Sequence, residues 1–379
     1  RRAFFRFCEV SWCSPGRWRL IVLRKPASAA WRSISDLIMG RNMDHRAFEG
    51  KVIDAHSHLG VDLKMYCRRE YPYAQTVEGL YYRQLSAGVD VNVVFPFSGD
   101  LYFEPAGLLD GCRTPAENPL SKVPYASENL LLMQEVYEYR GDLSGRFIPF
   151  VCIDPGRRVA EQIGEIRTLA SKYAIYGMKV NPVGCASSVQ TLRDGGKAFL
   201  DLAAEMNWPM LFHAVPAGMD DYSSAEVVLD LARRHQHIRF CLAHCLQFRK
   251  DMLACADAMP NVWVDTAALF IQVKLVRQLM AEGGISPDAV MDCLPQGHCQ
   301  VMRELCRLHP RTIIWGSDSP AYSYICVRKD SARADRIFRL SGAYEDEIAA
   351  LKCLPDNARI RACSLNTLVF LFGQKGKHE

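Results

Sequence analysis

Eight short apolar runs recur along the chain, at residues 52–60, 89–97, 146–153, 176–180, 209–213, 238–244, 262–265 and 312–315. Most are apolar throughout rather than alternating, as strands are when both faces of a parallel sheet are covered. Between them lie segments with apolar residues at helical spacing, at 76–87, 127–140, 157–172, 196–206, 224–235 and 249–258. In 157–172 the stripe is Val159, Ile163, Ile166, Leu169 and Ala170. Thr76 is placed to cap the first helix and Gly88 to stop it. A partly helical stretch covers 267–308, and a final helix or two cover 344–371.

Eight strand–helix units predict one α/β domain, a single (β/α)8 barrel spanning residues 43–373, with a doubly wound open sheet as the alternative. No Gly-x-Gly-x-x-Gly follows the first strand, which counts against a dinucleotide-binding sheet. A long irregular stretch rich in Gly, Pro and Asp, residues 98–124, reads as a loop insertion after strand two, and C-terminal helices finish the domain.

Charge changes the picture at one end only. Residues 1–42 hold nine basic side chains against Glu9 and Asp36, a net of +7, so a total of +4 leaves the remainder at about −3. The body is not a nucleic-acid binder by charge, and its expected partner is a small molecule, with a homo-oligomer as the expected assembly. The basic segment 1–42 reads as translated sequence upstream of a start at Met43, with Met39 as a second candidate start and a transit peptide as the alternative. The 15 cysteines include no Cys-x-x-Cys pair, and many sit in apolar runs, which suits a reducing cytoplasm better than a disulfide framework. There is no run of about 18 apolar residues and so no expected membrane helix.

The chemistry concentrates at strand ends. Strand one ends in His56-Ser57-His58, strand four in Lys179, strand five in His213, strand six in His244, and strand eight in Gly316-Ser317-Asp318. In a barrel these carboxyl ends converge on one face, where active sites are built. Taken singly, each has a structural reading: a core histidine, a surface lysine, or a helix cap. Together they form an ordered set of metal-ligand types, whereas His235, His237, His45, His298, His309 and His378 lack that context and are assigned to surface or structure. Asp100, Tyr102, Glu104, Asp110 and Arg113 in the insertion, and Tyr322, Tyr324 and Arg328 after strand eight, are loop residues from which substrate contacts could come.

The runs Ile53-Asp54-Ala55-His56-Ser57-His58, Gly177-Met178-Lys179, Leu211-Phe212-His213-Ala214, Leu242-Ala243-His244-Cys245 and Gly316-Ser317-Asp318-Ser319-Pro320 resemble the amidohydrolase superfamily of metal-dependent barrels. The resemblance covers roughly residues 50–373. It is closest to the amidohydrolase-related branch, which includes aminocarboxymuconate-semialdehyde decarboxylase and the resorcylate decarboxylases. It implies that His56, His58, His213 and Asp318 approach a divalent metal, zinc by preference. Asp318 and His244 would be the catalytic groups, and Asp54 would brace the His-x-His strand. One ion is expected ahead of two; in two-metal members a carboxylated lysine at the Lys179 position bridges the ions, and otherwise Lys179 would meet a substrate carboxylate. The expected activity is hydrolysis of an amide, lactone or ester bond in a small carboxylated molecule by metal-activated water. The alternative is non-oxidative decarboxylation of an aromatic or unsaturated acid.

Overall fold

The computed structural model describes residues 45–63, 74–109, 112–216, 218–320, 323–330 and 333–373. The basic segment 1–42 therefore lies outside the described residues, as do Asp110, Tyr322 and His378.

All eight expected strands form. They are β1 (Ile53–Val61), β2 (Val91–Pro96), β3 (Phe147–Pro149 and Val151–Ile153), β4 (Met178–Val180), β5 (Met210–Phe212), β6 (Phe240–Leu242), β7 (Val262–Asp265) and β8 (Ile313–Ile314). Each pairs in parallel with the next, with Ile53 opposite Val91, Asn92 opposite Phe147, and Val151 opposite Met178. Met178, Met210, Phe240 and Val262 continue the same row, and Val264 faces Ile313. The circle closes beyond β8. Ala55 N donates to Trp315 O at 3.0 Å, Asp318 N to His56 O at 2.8 Å, and His58 N to Ser319 O at 2.7 Å. This is a TIM barrel, and its closing seam runs between the His-x-His strand and Asp318.

Alternation along the strands explains two separate apolar layers. Phe147, Val151, Met178, Val180, Met210, Phe212, Phe240, Leu242 and Val264 pack outward against the helices. Ile53, Val91, Val93, Phe95, Ile148, Cys152, Leu211, Cys241, Trp263 and Ile314 fill the barrel itself. Lys179 lies in register with Cys152 on one side and Leu211 on the other, so its side chain belongs to the interior row. Phe48, Phe370 and Phe372 join that inner layer, with the rings of Phe48 and Phe372 stacked at 5.8 Å.

The helices follow the predicted pattern. In α1 (Val77–Ala87), Thr76 accepts from the amide of Gly79, and Gly88 ends the helix in the left-handed conformation at φ 76°. The stretch 98–124 is less irregular than its composition suggests, holding a 3-10 turn at Asp100–Tyr102 and a short helix at Pro105–Leu109. Segment 267–308 resolves into two helices, α2 (Leu269–Ala281) and α3 (His298–Leu308), and α4 (Tyr344–Lys352) opens the C-terminal group. An antiparallel hairpin, Ser323–Asp330 with Arg333–Ser341, follows β8 and was not anticipated. No helix among the described residues is long and apolar enough to cross a membrane. Among the described residues, eleven cysteines from Cys112 to Cys363 carry free thiols.

Candidate metal centre

Strand ends bring the polar residues to one face of the barrel. His56 and His58, two apart on β1, both direct Nε2 at the same oxygen, Asp318 Oδ1, at 3.2 and 3.1 Å. All three residues are buried. Among the described residues, these three form the group whose ligand atoms lie close enough together to hold a metal ion, all within 4.8 Å of one another. Asp318 itself takes a left-handed conformation at φ 63°, which Asp adopts more readily than most residues and which turns its carboxylate back toward β1.

The other imidazole nitrogens explain why an ion fits. His56 Nδ1 meets the Asp265 carboxylate at 2.8 Å, and His58 Nδ1 meets the Pro96 carbonyl at 3.3 Å. Both partners only accept hydrogen bonds, so each Nδ1 is placed to carry a proton, which in a neutral ring leaves the lone pair on Nε2. At His56 burial and Lys179 oppose protonation, but Asp265 and Asp318 raise the pKa above the ordinary histidine value. Burial takes the His58 pKa down to about 4, so this imidazole is neutral at pH 7. Its lone pair then faces a carboxylate oxygen at 3.1 Å, acceptor against acceptor. In that tautomer a cation between the two makes the contact favourable, whereas an Nε2–H ring would instead donate to the carboxylate. Neutral imidazoles and a carboxylate are also the donors zinc and similar ions take.

Lys179 is 1% exposed, and its Nζ donates to His56 Nε2 at 3.1 Å while lying 4.5 Å from the centre of the Phe95 ring. Burial pulls its pKa below the ordinary lysine value. The amine therefore sits among the candidate ligands rather than on an open surface. His213 does not join the three-residue cluster. Its Nδ1 lies 2.9 Å from His244 Nε2, while His244 Nδ1 donates to Ala267 O at 3.0 Å. Burial lowers the pKa of both, that of His213 well below the usual histidine value.

His244 opens a turn of unusual backbone. Residues 244–248, none of them glycine, have φ of 64°, 53°, 48°, 48° and 62°. Each left-handed L-residue costs roughly 1–2 kcal/mol, so five in a row persist only where the surroundings fix them. All five are buried, and the His244 amide is held by Asp265 Oδ1 at 3.1 Å.

Asp54 braces the seam as expected. It accepts from His56 N at 3.1 Å, Ser57 Oγ at 3.2 Å, Ser317 N at 2.9 Å and Ser317 Oγ at 2.5 Å. Asp265 was not singled out from the sequence. The available signal was parity: it stands two residues beyond Trp263 on β7, so alternation aims it into the barrel mouth. Of the loop residues, Asp100 pairs with Arg113 at 3.5 Å, Tyr102 is buried, and Glu104 accepts from the amide of Glu117 at 3.0 Å. Asp100 and Glu104 also line a pocket of about 360 Å³ with Phe103, Leu108 and Leu120, but none of the strand-end residues lines it.

Comparison with known families supplies the deciding observation: the family model described as Amidohydrolase matches residues 125–367, more than half of the chain. The chain belongs to the amidohydrolase family. Among solved structures it is similar to 2,6-dihydroxybenzoate decarboxylase complexed with 2,6-dihydroxybenzoate, at 10% identity, TM-score 0.50, and coverage of 85% of this chain and 98% of the other. It is equally similar to 5-carboxyvanillate decarboxylase from Sphingomonas paucimobilis, at 12% identity, TM-score 0.50, and coverage of 85% and 98%. Dihydroorotase from Campylobacter jejuni follows at 15% identity, TM-score 0.47, and coverage of 88% and 87%. At these identities the likeness is one of fold, the TIM barrel. A search of curated proteins finds no match. As an amidohydrolase, the chain carries the His-His-Asp set at the barrel seam, and all three of its residues are buried.

Proposed function

We propose that this amidohydrolase is a metal-dependent hydrolase acting on an amide, lactone or ester bond of a small molecule. His56, His58 and Asp318 would hold one divalent ion, with zinc the first choice. A bound ion would supply Lewis-acid polarisation and lower the pKa of water to about 7.

The protein's own groups then have separate tasks. Asp318 is held ionised, because although burial opposes ionisation, the charge of His56 beside it outweighs that cost. A buried carboxylate of this kind takes a proton from water and returns it to a leaving group. His244 stands beside His213 with its Nδ1 proton committed to Ala267 O, which leaves Nε2 on the side facing His213. In the proposed reaction this imidazole would accept a proton at Nε2 and return it to the leaving group.

The observation that carries hydrolysis over decarboxylation is the position of Lys179. Its amine is buried against His56 Nε2 at 3.1 Å, a place suited to a group that joins the cation's surroundings and ill suited to one that receives a substrate carboxylate from solvent. The pair His213 and His244 is available for a second ion if Lys179 becomes carboxylated.

The test is a panel of lactones, amides, esters and hydroxybenzoates presented to the zinc- or manganese-loaded protein, with acid release and carbon dioxide followed together. Acid release without carbon dioxide supports hydrolysis. Carbon dioxide from a hydroxybenzoate, with no ester, lactone or amide turned over, replaces it with decarboxylation.

A further inference from the structure

We propose that Asp265 is a positioning residue that fixes the ring proton of His56 and, with its other oxygen, the turn that presents His244. The carboxylate is 0% exposed. Its Oδ2 accepts from His56 Nδ1 at 2.8 Å. Its Oδ1 accepts from the amides of His244 at 3.1 Å and Ala267 at 3.0 Å, and the Ala267 carbonyl in turn accepts from His244 Nδ1 at 3.0 Å. One buried group on β7 thus reaches both parts of the site, the imidazole on β1 and the left-handed turn after β6.

Each oxygen has its own consequence. By accepting at Nδ1, Oδ2 holds a proton there, so that in the neutral ring the Nε2 lone pair is directed at Asp318 Oδ1, 3.2 Å away. By accepting from two amides, Oδ1 fixes the first residue of a five-residue left-handed turn that contains no glycine. That turn aims the His244 ring at His213. The inference rests on the proposed function only in taking His56 Nε2 as a ligand; the tautomer and the turn stand apart from it.

Asp265→Asn separates the two roles. The amide oxygen of Asn can still accept from His244 N and Ala267 N, but its NH2 would face His56 Nδ1 and donate to it. The His56 proton would then move to Nε2, blocking the ligand lone pair.

The experiment compares 15N-histidine spectra of metal-free wild-type and Asp265→Asn protein, with the His56 signal assigned by its loss in His56→Gln. Zinc affinity is measured alongside, in competition with a chromophoric chelator. The expected wild-type result, read at a pH where the His56 ring is neutral, is the proton on Nδ1. The expected variant result is the opposite tautomer, unchanged His244 signals, and zinc affinity lowered about 10- to 100-fold, in the range typical for partners of metal-ligating histidines. An Nε2–H tautomer in wild type overturns the inference, and this reading requires no variant to fold. A folded Asp265→Asn protein with wild-type tautomer and zinc affinity also overturns it. If wild type binds no zinc, the proposed function falls, and the tautomer measurement alone decides the role of Asp265.

Discussion

Ser317 donates its hydroxyl to Asp54 at 2.5 Å and its amide to the same carboxylate at 2.9 Å. These bonds join the residue before Asp318 to the residue two before His56, across the seam where the barrel closes. Because Asp54 also accepts from His56 N and Ser57 Oγ, replacing it leaves several buried donors without an acceptor. Each such loss costs about 1–3 kcal/mol. Asp54→Ala is therefore expected to lower unfolding free energy by roughly 2–4 kcal/mol, measured by urea denaturation. A change below about 0.5 kcal/mol would mean the seam is held by the backbone bonds alone.

Glu347 reaches from α4 to the start of α2, where Oε2 accepts from Leu269 N at 3.1 Å and Oε1 from Phe270 N at 3.0 Å. The first amides of a helix have no partner within it, and this side chain supplies one from a distant segment. Glu347→Ala is expected to cost about 1–3 kcal/mol of stability, with Glu347→Gln, which keeps one of the two acceptors, losing less. Equal losses for both variants would show that the side chain acts through something other than these bonds.

Much of this was legible before any coordinates. Eight apolar runs gave the eight strands because a strand covered on both faces has no polar positions to obscure it, and Thr76 and Gly88 marked the first helix by known capping chemistry. His56, His58 and Asp318 stood out only as members of an ordered set of ligand types at strand ends, and the resemblance to the amidohydrolase superfamily made them candidate ligands. Asp265 was missed because one Asp after Val-Trp-Val looks like an ordinary strand terminus until its partners 209 and 21 residues away are known. The left-handed turn at 244–248 had no glycine or asparagine to announce it. The position of His213 beside His244 was equally invisible, since strand ends fix which face a side chain takes but not which neighbour it meets.

Glu128 offers a pH test away from the metal centre. Burial raises its pKa to about 7; Oε1 accepts from Leu101 N at 3.0 Å, and Oε2 is buried with no hydrogen-bond partner among the described residues. A carboxyl whose folded pKa is raised binds more protons folded than unfolded between about pH 4.5 and 7. Stability must therefore fall as pH rises through that window. Glu128→Gln, which keeps the acceptor for Leu101, is expected to flatten this slope and to melt higher than wild type at pH 8. Thermal melts of both proteins from pH 5 to 8 check it, and parallel curves would remove Glu128 as the cause.

Asp318→Asn tests the proton-transfer role. The substitution keeps side-chain size but removes the base, so turnover of whichever substrate the panel yields is expected to fall about 10²- to 10⁴-fold. The thermal midpoint should stay within a few degrees of wild type, which distinguishes lost chemistry from lost fold. Near-wild-type turnover would assign the base elsewhere.

The most direct measurement is the metal content of purified protein by inductively coupled plasma mass spectrometry, for wild type and for His58→Ala. His58 is the informative ligand because its burial-lowered pKa leaves it neutral and its Nε2 lies 3.1 Å from Asp318 Oδ1, within the candidate ligand set. Wild type is expected to hold about one divalent ion per chain and His58→Ala to lose it, both remaining folded by circular dichroism. No stoichiometric divalent ion in wild type, or full retention by a folded His58→Ala protein, would contradict a metal centre at His56, His58 and Asp318.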